Sequence, residues 1–334
     1  MTRYCSTLRL LAALWLVAFA PTLSRAQAGA GALRAPPGGD FTCSPCKDFD
    51  RFVNGAWLDT ATIPSTSMIT GAAYYTLDKT LHRVNGILSE AAVDRSRHAG
   101  SRTQKIGDFY ASCMDSARAD ADGIRPVAAT LSEIGGASTA AEVALEAARL
   151  QRIGTPVLFS VSVTPDQRNT KKMVLVLAQG GLGLPDRDYY LRDDPSTAGI
   201  RAAYTESMAR RFELAGSTAA EAADAAKRVM TLETEMARAS MTLVARRDVE
   251  ATYHKISGAQ LASVAPEIPW PRVFAQWHLP APDSVVVRQP DYLTALSGLL
   301  ERTAASDWRA YLRWHELLAA SLYLSNALPT RRFV

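Results

Sequence analysis

Five histidines are spread along the 334 residues, at His82, His98, His254, His278 and His315, and no two are close in sequence. A helix-borne zinc hydrolase site needs two imidazoles one turn apart, with a glutamate between them to activate the metal-bound water. The nearest approach is His315-Glu316-Leu317-Leu318-Ala319, where Ala319 stands in the place of the second ligand and cannot bind a metal. His315 therefore reads as a packing or surface residue, and neither a catalytic residue nor a metal ligand is expected in this chain. Phosphate loops are missing as well. Gly180-Gly181-Leu182-Gly183 has neither the lysine of a P-loop nor the spacing of a dinucleotide fingerprint. The net charge of +4 is small and dispersed, without a basic stripe interleaved with aromatics, which argues against nucleic acid as a partner.

Long apolar runs are nearly absent. The one at Leu10 to Ala20 follows Arg3 and Arg9 and precedes a small-x-small site at Ser24-Arg25-Ala26 or Ala26-Gln27-Ala28. That order reads as an export signal over residues 1–26, too short to span a bilayer comfortably. No lipid-attachment cysteine follows it, since Cys5 comes before, and no later segment is apolar enough to cross a membrane. The expected location is periplasmic or secreted. About 300 residues remain, enough for one large domain or two ordinary ones. Their cysteines are Cys43, Cys46 and Cys113, an odd number for an exported chain, where thiols usually pair. A redox reading of Cys43-Ser44-Pro45-Cys46 wants a βαβ surround that is not here. A local bridge, or a mate outside this chain, fits better.

Residues 27–42 are rich in Gly, Ala and Pro and read as a flexible lead-in. Apolar spacing predicts helices over Asp78–Val93, Thr103–Ala117 and Ala140–Arg152. Two β-branched runs, Pro156–Val163 and Met173–Leu177, flank a polar turn and predict a hairpin. Helical spacing returns over Ala198–Leu214, Thr218–Val244, Pro290–Thr303 and Asp307–Leu324, with a proline-punctuated stretch before Pro290. The fold class is mainly α with a small β-hairpin insertion.

Charged clusters give no clear acid–base pair. Glu233 and Glu235 point to different helix faces, which suits a solvated helix. Asp186, Arg187 and Asp188 can pair with one another or with nearby backbone, pinning a loop by charge-assisted hydrogen bonds. Arg246-Arg247-Asp248 likewise reads as a structural ion-pair cluster. No serine or cysteine nucleophile has a recognisable histidine partner.

Three stretches carry a family resemblance: Pro45-Cys46-Lys47-Asp48-Phe49 running to Asn54-Gly55-Ala56-Trp57-Leu58, Lys105-Ile106-Gly107-Asp108-Phe109-Tyr110-Ala111-Ser112-Cys113-Met114-Asp115, and Gly181-Leu182-Gly183-Leu184-Pro185-Asp186-Arg187-Asp188-Tyr189-Tyr190-Leu191. Ala245-Arg246-Arg247-Asp248 with Thr252-Tyr253-His254-Lys255, Pro269-Trp270, and Tyr311-Leu312-Arg313-Trp314-His315 to Tyr323-Leu324-Ser325 extend it. In this order the pieces resemble the N-terminal half of the neprilysin and endothelin-converting-enzyme family of zinc metallopeptidases, which are gluzincins.

The resemblance implies a multi-helix cap lobe over residues 72–325, C-terminally incomplete, above a thermolysin-like catalytic lobe. Residues 43–71 would lie against that catalytic lobe. The enclosed cavity would admit peptides but not folded proteins. Zinc is the family's cofactor, and its ligands belong to the second half, so none is expected here. By analogy Cys46 and Cys113 would want mates beyond Val334. Ile69 stands where some members carry an arginine that grips the substrate's end, and the aromatic expected after Gly71 is displaced to Tyr74 or Tyr75, the two candidate substrate-facing residues. The likeness is expected to stop near Ser325, leaving an unrelated tail over 326–334 that fits a premature stop or frameshift. The resulting expectation is a truncated, inactive zinc metalloendopeptidase. The alternative is a non-catalytic exported module that binds peptides or a separately encoded catalytic half. With partners missing, the apolar stripe through Trp308, Tyr311 and Leu322 is expected to be exposed and to promote aggregation.

Overall fold

The computed structural model describes residues 38–65, 67 and 69–325. The expected signal peptide, the lead-in up to residue 37 and the tail at 326–334 lie outside the described residues. The chain divides into two compact units, Met1–Glu90 and Ala91–Val334.

In the first unit, helix α1 (Phe49–Leu58) begins where the Asp48 carboxylate accepts from the Arg51 backbone N–H at 2.9 Å, an N-cap. The Arg51 guanidinium then clamps the chain on both sides of this helix. It donates to the two Asp59 carboxylate oxygens at 2.8 and 2.7 Å, and its Nε donates to Asp40 at 3.1 Å. Helix α2 (Ala72–Val93) starts at Ala72 rather than Asp78, because its first turns carry exposed side chains with no apolar stripe to read.

The second unit opens with α3 (Arg102–Met114) and α4 (Ser116–Asp122). The sequence predicts one helix here; Asp115 breaks it by turning its carboxylate onto the Arg118 backbone N–H at 3.0 Å. After α5 (Ala128–Gly135), α6 spans Ala140–Arg152, the bounds expected, behind a capping box of Thr139 and Glu142. Strands β1 (Phe159–Asp166) and β2 (Asn169–Gln179) form the expected antiparallel hairpin.

Two further strands were not legible. β3 (His254–Ser257) and β4 (Ser284–Val287) complete a sheet of order β1-β2-β4-β3, with β4 parallel to β2 and antiparallel to β3. Leu175, Leu177, Val285 and Val287 face the main core, while Val174, Val176 and Val286 pack with Tyr253 on the opposite face. The sheet centre is thus covered on both sides.

The remaining helices are α7 (Asp188–Leu191), α8 (Pro195–Leu214), α9 (Ala219–Ala239), α10 (Gly258–Val264), α11 (Trp270–Gln276), α12 (Pro290–Arg302) and α13 (Ala305–Ala320). The fold is mainly α, as the sequence implies. Helix α9 ends at Ala239 rather than Val244, because the Gln179 side chain takes over the main chain of Met241, accepting from its N–H at 2.8 Å and donating to its carbonyl at 3.1 Å. The expected exposed stripe is corrected. Trp308 and Tyr311 are fully buried, since α13 packs against α9, α5 and α6 within this chain. Only Leu322, past the end of α13, is exposed.

Candidate functional site

Strand β2 hands the chain directly into Gly180-Gly181-Leu182-Gly183-Leu184, and buried tyrosines claim this loop from the core side. The Tyr311 hydroxyl donates to the Gly181 carbonyl at 2.7 Å and accepts from the Leu158 N–H at 2.9 Å. The Tyr292 hydroxyl lies 2.7 Å from the Gly180 carbonyl and 2.6 Å from that of Leu158. Burial pushes both hydroxyls above the usual phenol range, so both stay protonated donors. Leu158 sits at φ 58° and Gly181 at φ 74°. The two tyrosines hold the strained Leu158 backbone in place. A side chain at Gly181 would collide with that backbone and with the Tyr311 hydroxyl.

Beneath Gly183 and Leu184 lies Glu233 of α9, fully closed to solvent. Its carboxyl accepts from Tyr190 at 2.7 Å and Tyr204 at 3.0 Å, and lies 2.9 Å from Nε2 of His315. Tyr190 also accepts from the Leu184 N–H at 2.8 Å, and Tyr204 accepts from the Trp314 indole at 2.7 Å. Burial first, and the neighbouring Glu233 second, push both phenols well above their ordinary values. The expectation of a solvated pair of glutamates is therefore corrected. Glu235 is partly exposed and pairs with Arg238, whereas Glu233 is the hub of a buried network. A sequence cue existed: Glu233 falls four residues after Val229 and three before Met236, on the core stripe of α9.

This arrangement does not fit a zinc ion. His315 is buried, its Nε2 is engaged by Glu233, and its ring lies 4.4 Å from that of Tyr311. Ala319 offers no ligand one turn on. Among the described residues no group of three or more His, Cys, Asp or Glu side chains is placed to hold a metal.

On the solvent side of the glycine loop is an open cleft. Its walls are Pro185, Asp186 and Arg187 on one side and Ser240, Met241, Leu243 and Arg246 on the other. Two motifs far apart in sequence thus meet. Their aspartates bond to backbone rather than to arginine. Asp186 accepts from the Asp188 N–H at 2.8 Å, and Asp248 accepts from the N–H groups of Glu250 and Ala251, both at 3.0 Å. Arg247 and Asp248 are exposed beside the cleft, and Asp188 is exposed at the start of α7. Arg187 has its Nε buried without a partner among the described residues.

The Thr252–Lys255 motif has a structural task. Tyr253 donates to Asp166 at 2.7 Å and Lys255 reaches the same carboxylate at 2.6 Å, so β3 is tied to the tip of the hairpin. These bonds, Lys255 foremost, bring Asp166 down to about 2. Nothing in the sequence singled out Asp166.

In the first unit, Tyr74 and Tyr75 are exposed on α2, with the Lys79 ammonium 4.4 Å from the Tyr75 ring centroid. Ile69 is also exposed. Cys43, Cys46 and Cys113 are free thiols; Cys46 and Cys113 are exposed and Cys43 is partly covered.

Comparison with known proteins follows the same lines. A family model described as Peptidase family M13, in its N-terminal part, matches residues 45–334. The match includes residues 326–334, so the likeness does not stop near Ser325. Endothelin-converting enzyme-like 1 of Mus musculus is 28% identical over 304 residues, covering 86% of this chain and 38% of that protein. Endothelin-converting enzyme 1 of Homo sapiens is 26% identical over 298 residues, with the same coverage of 86% and 38%. A crystal structure of the Mycobacterium tuberculosis zinc metalloprotease Zmp1 with an inhibitor superposes with a TM-score of 0.79 at 31% identity, over 89% of this chain and 45% of that one. This chain therefore spans less than half the length of these relatives. With a family match over most of its length and the fold of Zmp1's corresponding part, the chain belongs to peptidase family M13, the zinc metallopeptidases of the neprilysin and endothelin-converting-enzyme type, and represents their N-terminal region.

Proposed function

We propose that these residues form the peptide-admitting cap lobe of an exported zinc metalloendopeptidase, and that the metal chemistry resides in sequence they do not contain. One observation carries the reading: a family match over 45–334 in a chain whose only His-Glu dipeptide is followed by alanine where the second imidazole is required. Alone, the chain then neither holds zinc nor hydrolyses peptides. Metal analysis of the purified chain, alongside an assay on a fluorogenic oligopeptide, tests this. The expected result is far less than one zinc per chain and no turnover; stoichiometric zinc with turnover overturns it. Export is tested by fractionation and N-terminal sequencing. A mature start after Ala26 or Ala28 supports it, and an intact Met1 in the cytoplasm refutes it.

The second reading is a non-catalytic exported module that binds peptides or a separately encoded catalytic half. The self-contained core of Ala91–Val334 favours it, since Trp308, Tyr311 and Trp314 are sealed without any further chain. Turnover restored by adding the zinc-bearing half of a family member supports a cap lobe or its partner-binding form. Peptide binding without such restoration supports the peptide-binding form of the second reading.

A further inference from the structure

We propose that the cleft between the Gly180–Arg187 loop and the Ser240–Arg246 turn binds a polypeptide carboxylate, with Arg187 and Arg246 as its anion-gripping side chains. The carbonyls of Gly180 and Gly181 are held from the core side by Tyr292 and Tyr311. Both backbone groups of Met241 are taken by Gln179, and the Ser240 hydroxyl donates to Met236 at 2.9 Å. The Gly181 carbonyl and both Met241 backbone groups thus already have partners, which leaves the lining fewer acceptors for a cation.

Donors remain. Among the described residues neither Arg187 nor Arg246 has an acidic side chain within ion-pairing distance, whereas Arg149, Arg210, Arg228 and Arg238 each have one. Arg187 lines the cleft, but its Nε is closed to solvent, so a ligand there would meet the outer guanidinium nitrogens. Asp186 also lines the cleft, but one of its oxygens already serves the Asp188 N–H, so the lining charge is two arginines against one aspartate. Two guanidinium forks suit a planar, two-oxygen anion.

Leu182, Pro185 and Leu243 add apolar side chains to the lining, and Val244 beside them is exposed. The exposed lining is more polar than apolar, so these side chains leave room for a peptide but do not by themselves exclude inorganic phosphate. The choice of a polypeptide rests on the cap-lobe reading; the unpaired arginines do not depend on it. The carboxylate can be a chain terminus or an Asp or Glu side chain, and the test separates the two.

The experiment measures fluorescence anisotropy of four labelled octapeptides sharing one apolar sequence, added to the full chain. One has a free C-terminus, one an amidated C-terminus, one an amidated end with an internal Glu, and one the same with Gln. At least one carboxylate peptide is expected to bind about tenfold or more tightly than its neutral twin. Arg187→Gln and Arg246→Gln should each erase most of that preference, and Arg247→Gln, outside the lining, should leave it intact. Arg246 is exposed, so its variant keeps the fold even where Arg187→Gln does not, and thermal melts run alongside. Equal binding of all four peptides, no binding at all, a preference that survives Arg246→Gln, or displacement by inorganic phosphate at matched concentration each overturns the site. None of these outcomes bears on the zinc and turnover assay, which judges the cap-lobe reading separately.

Discussion

Oε1 of Glu233 lies 2.9 Å from Nε2 of His315, and both side chains are closed to solvent. Tyr190 and Tyr204 complete the shell, so one carboxyl group joins α7, α8, α9 and α13 beneath the glycine loop. Buried polar networks are stabilising when complete and expensive when broken.

Glu233→Leu is therefore expected to destabilise the second unit by about 3–5 kcal/mol, because it strands an imidazole and two hydroxyls in the core. Glu233→Gln keeps one acceptor oxygen and is expected to lose about 1–3 kcal/mol. Urea unfolding followed by tryptophan fluorescence measures both. A Glu233→Leu midpoint equal to that of the wild type would deny the network any structural role.

Gly181→Ala and Gly216→Ala form a matched pair. Both glycines have positive φ, at 74° and 94°, but only Gly181 faces Leu158 and Tyr311 where a Cβ would go; Gly216 faces open space. Gly216→Ala is expected to lose about 1 kcal/mol from backbone strain alone. Gly181→Ala should lose more, about 2–4 kcal/mol, as the collision adds to the strain. Equal losses would mean that the loop moves aside freely.

Acid dependence follows from Asp166. Its folded value of about 2 lies below the unfolded value near 3.8, so its contribution to stability is complete above about pH 4. That contribution declines as pH falls from there through 2, and below 2 the carboxylate is protonated in both states. Asp166→Asn removes this dependence. The gap in unfolding midpoint between wild type and Asp166→Asn should therefore shrink between pH 5 and pH 2, and a gap of constant size contradicts the assignment.

Thiol labelling should distinguish the cysteines. Cys46 and Cys113 are exposed, whereas Cys43 is partly covered and its Sγ lies 3.8 Å from the Ser44 and Asp48 carbonyls. Under reducing conditions a maleimide should modify Cys46 and Cys113 before Cys43, read by mass spectrometry of tryptic peptides. Cys43 reacting first would contradict the placement.

What the sequence disclosed was local. The bounds of α6 were readable because Thr139 and Glu142, three residues apart, cap it; the hairpin was readable because its two runs flank one turn. β3 and β4 are four residues each; Val285-Val286-Val287 carries a β-branched cue hidden in its proline-rich surroundings, whereas His254–Ser257 owes its extended form to β4, far away in sequence. Glu233 and Glu235 were correctly assigned to different faces, and the stripe through Val229 and Met236 marked the Glu233 face as buried, but its partners Tyr190, Tyr204 and His315 arrive from three other helices. The cleft was half legible. Arg187 and Arg246 stood out as motif residues, yet their meeting depends on Gln179 seizing Met241 and ending α9 early.

The parallel pairing of β2 with β4 sets a schedule for biosynthesis. Leu175 and Leu177 emerge with their hairpin partners already made, but the other edge of β2 stays open until Val285 and Val287 have left the ribosome. During that interval the nascent chain carries an unsatisfied strand edge, the kind of surface that seeks partners in other molecules. Polypeptides ending before Ser284 keep that edge permanently. Those that reach Arg288, whose N–H donates to the Leu177 carbonyl at 2.8 Å, close it.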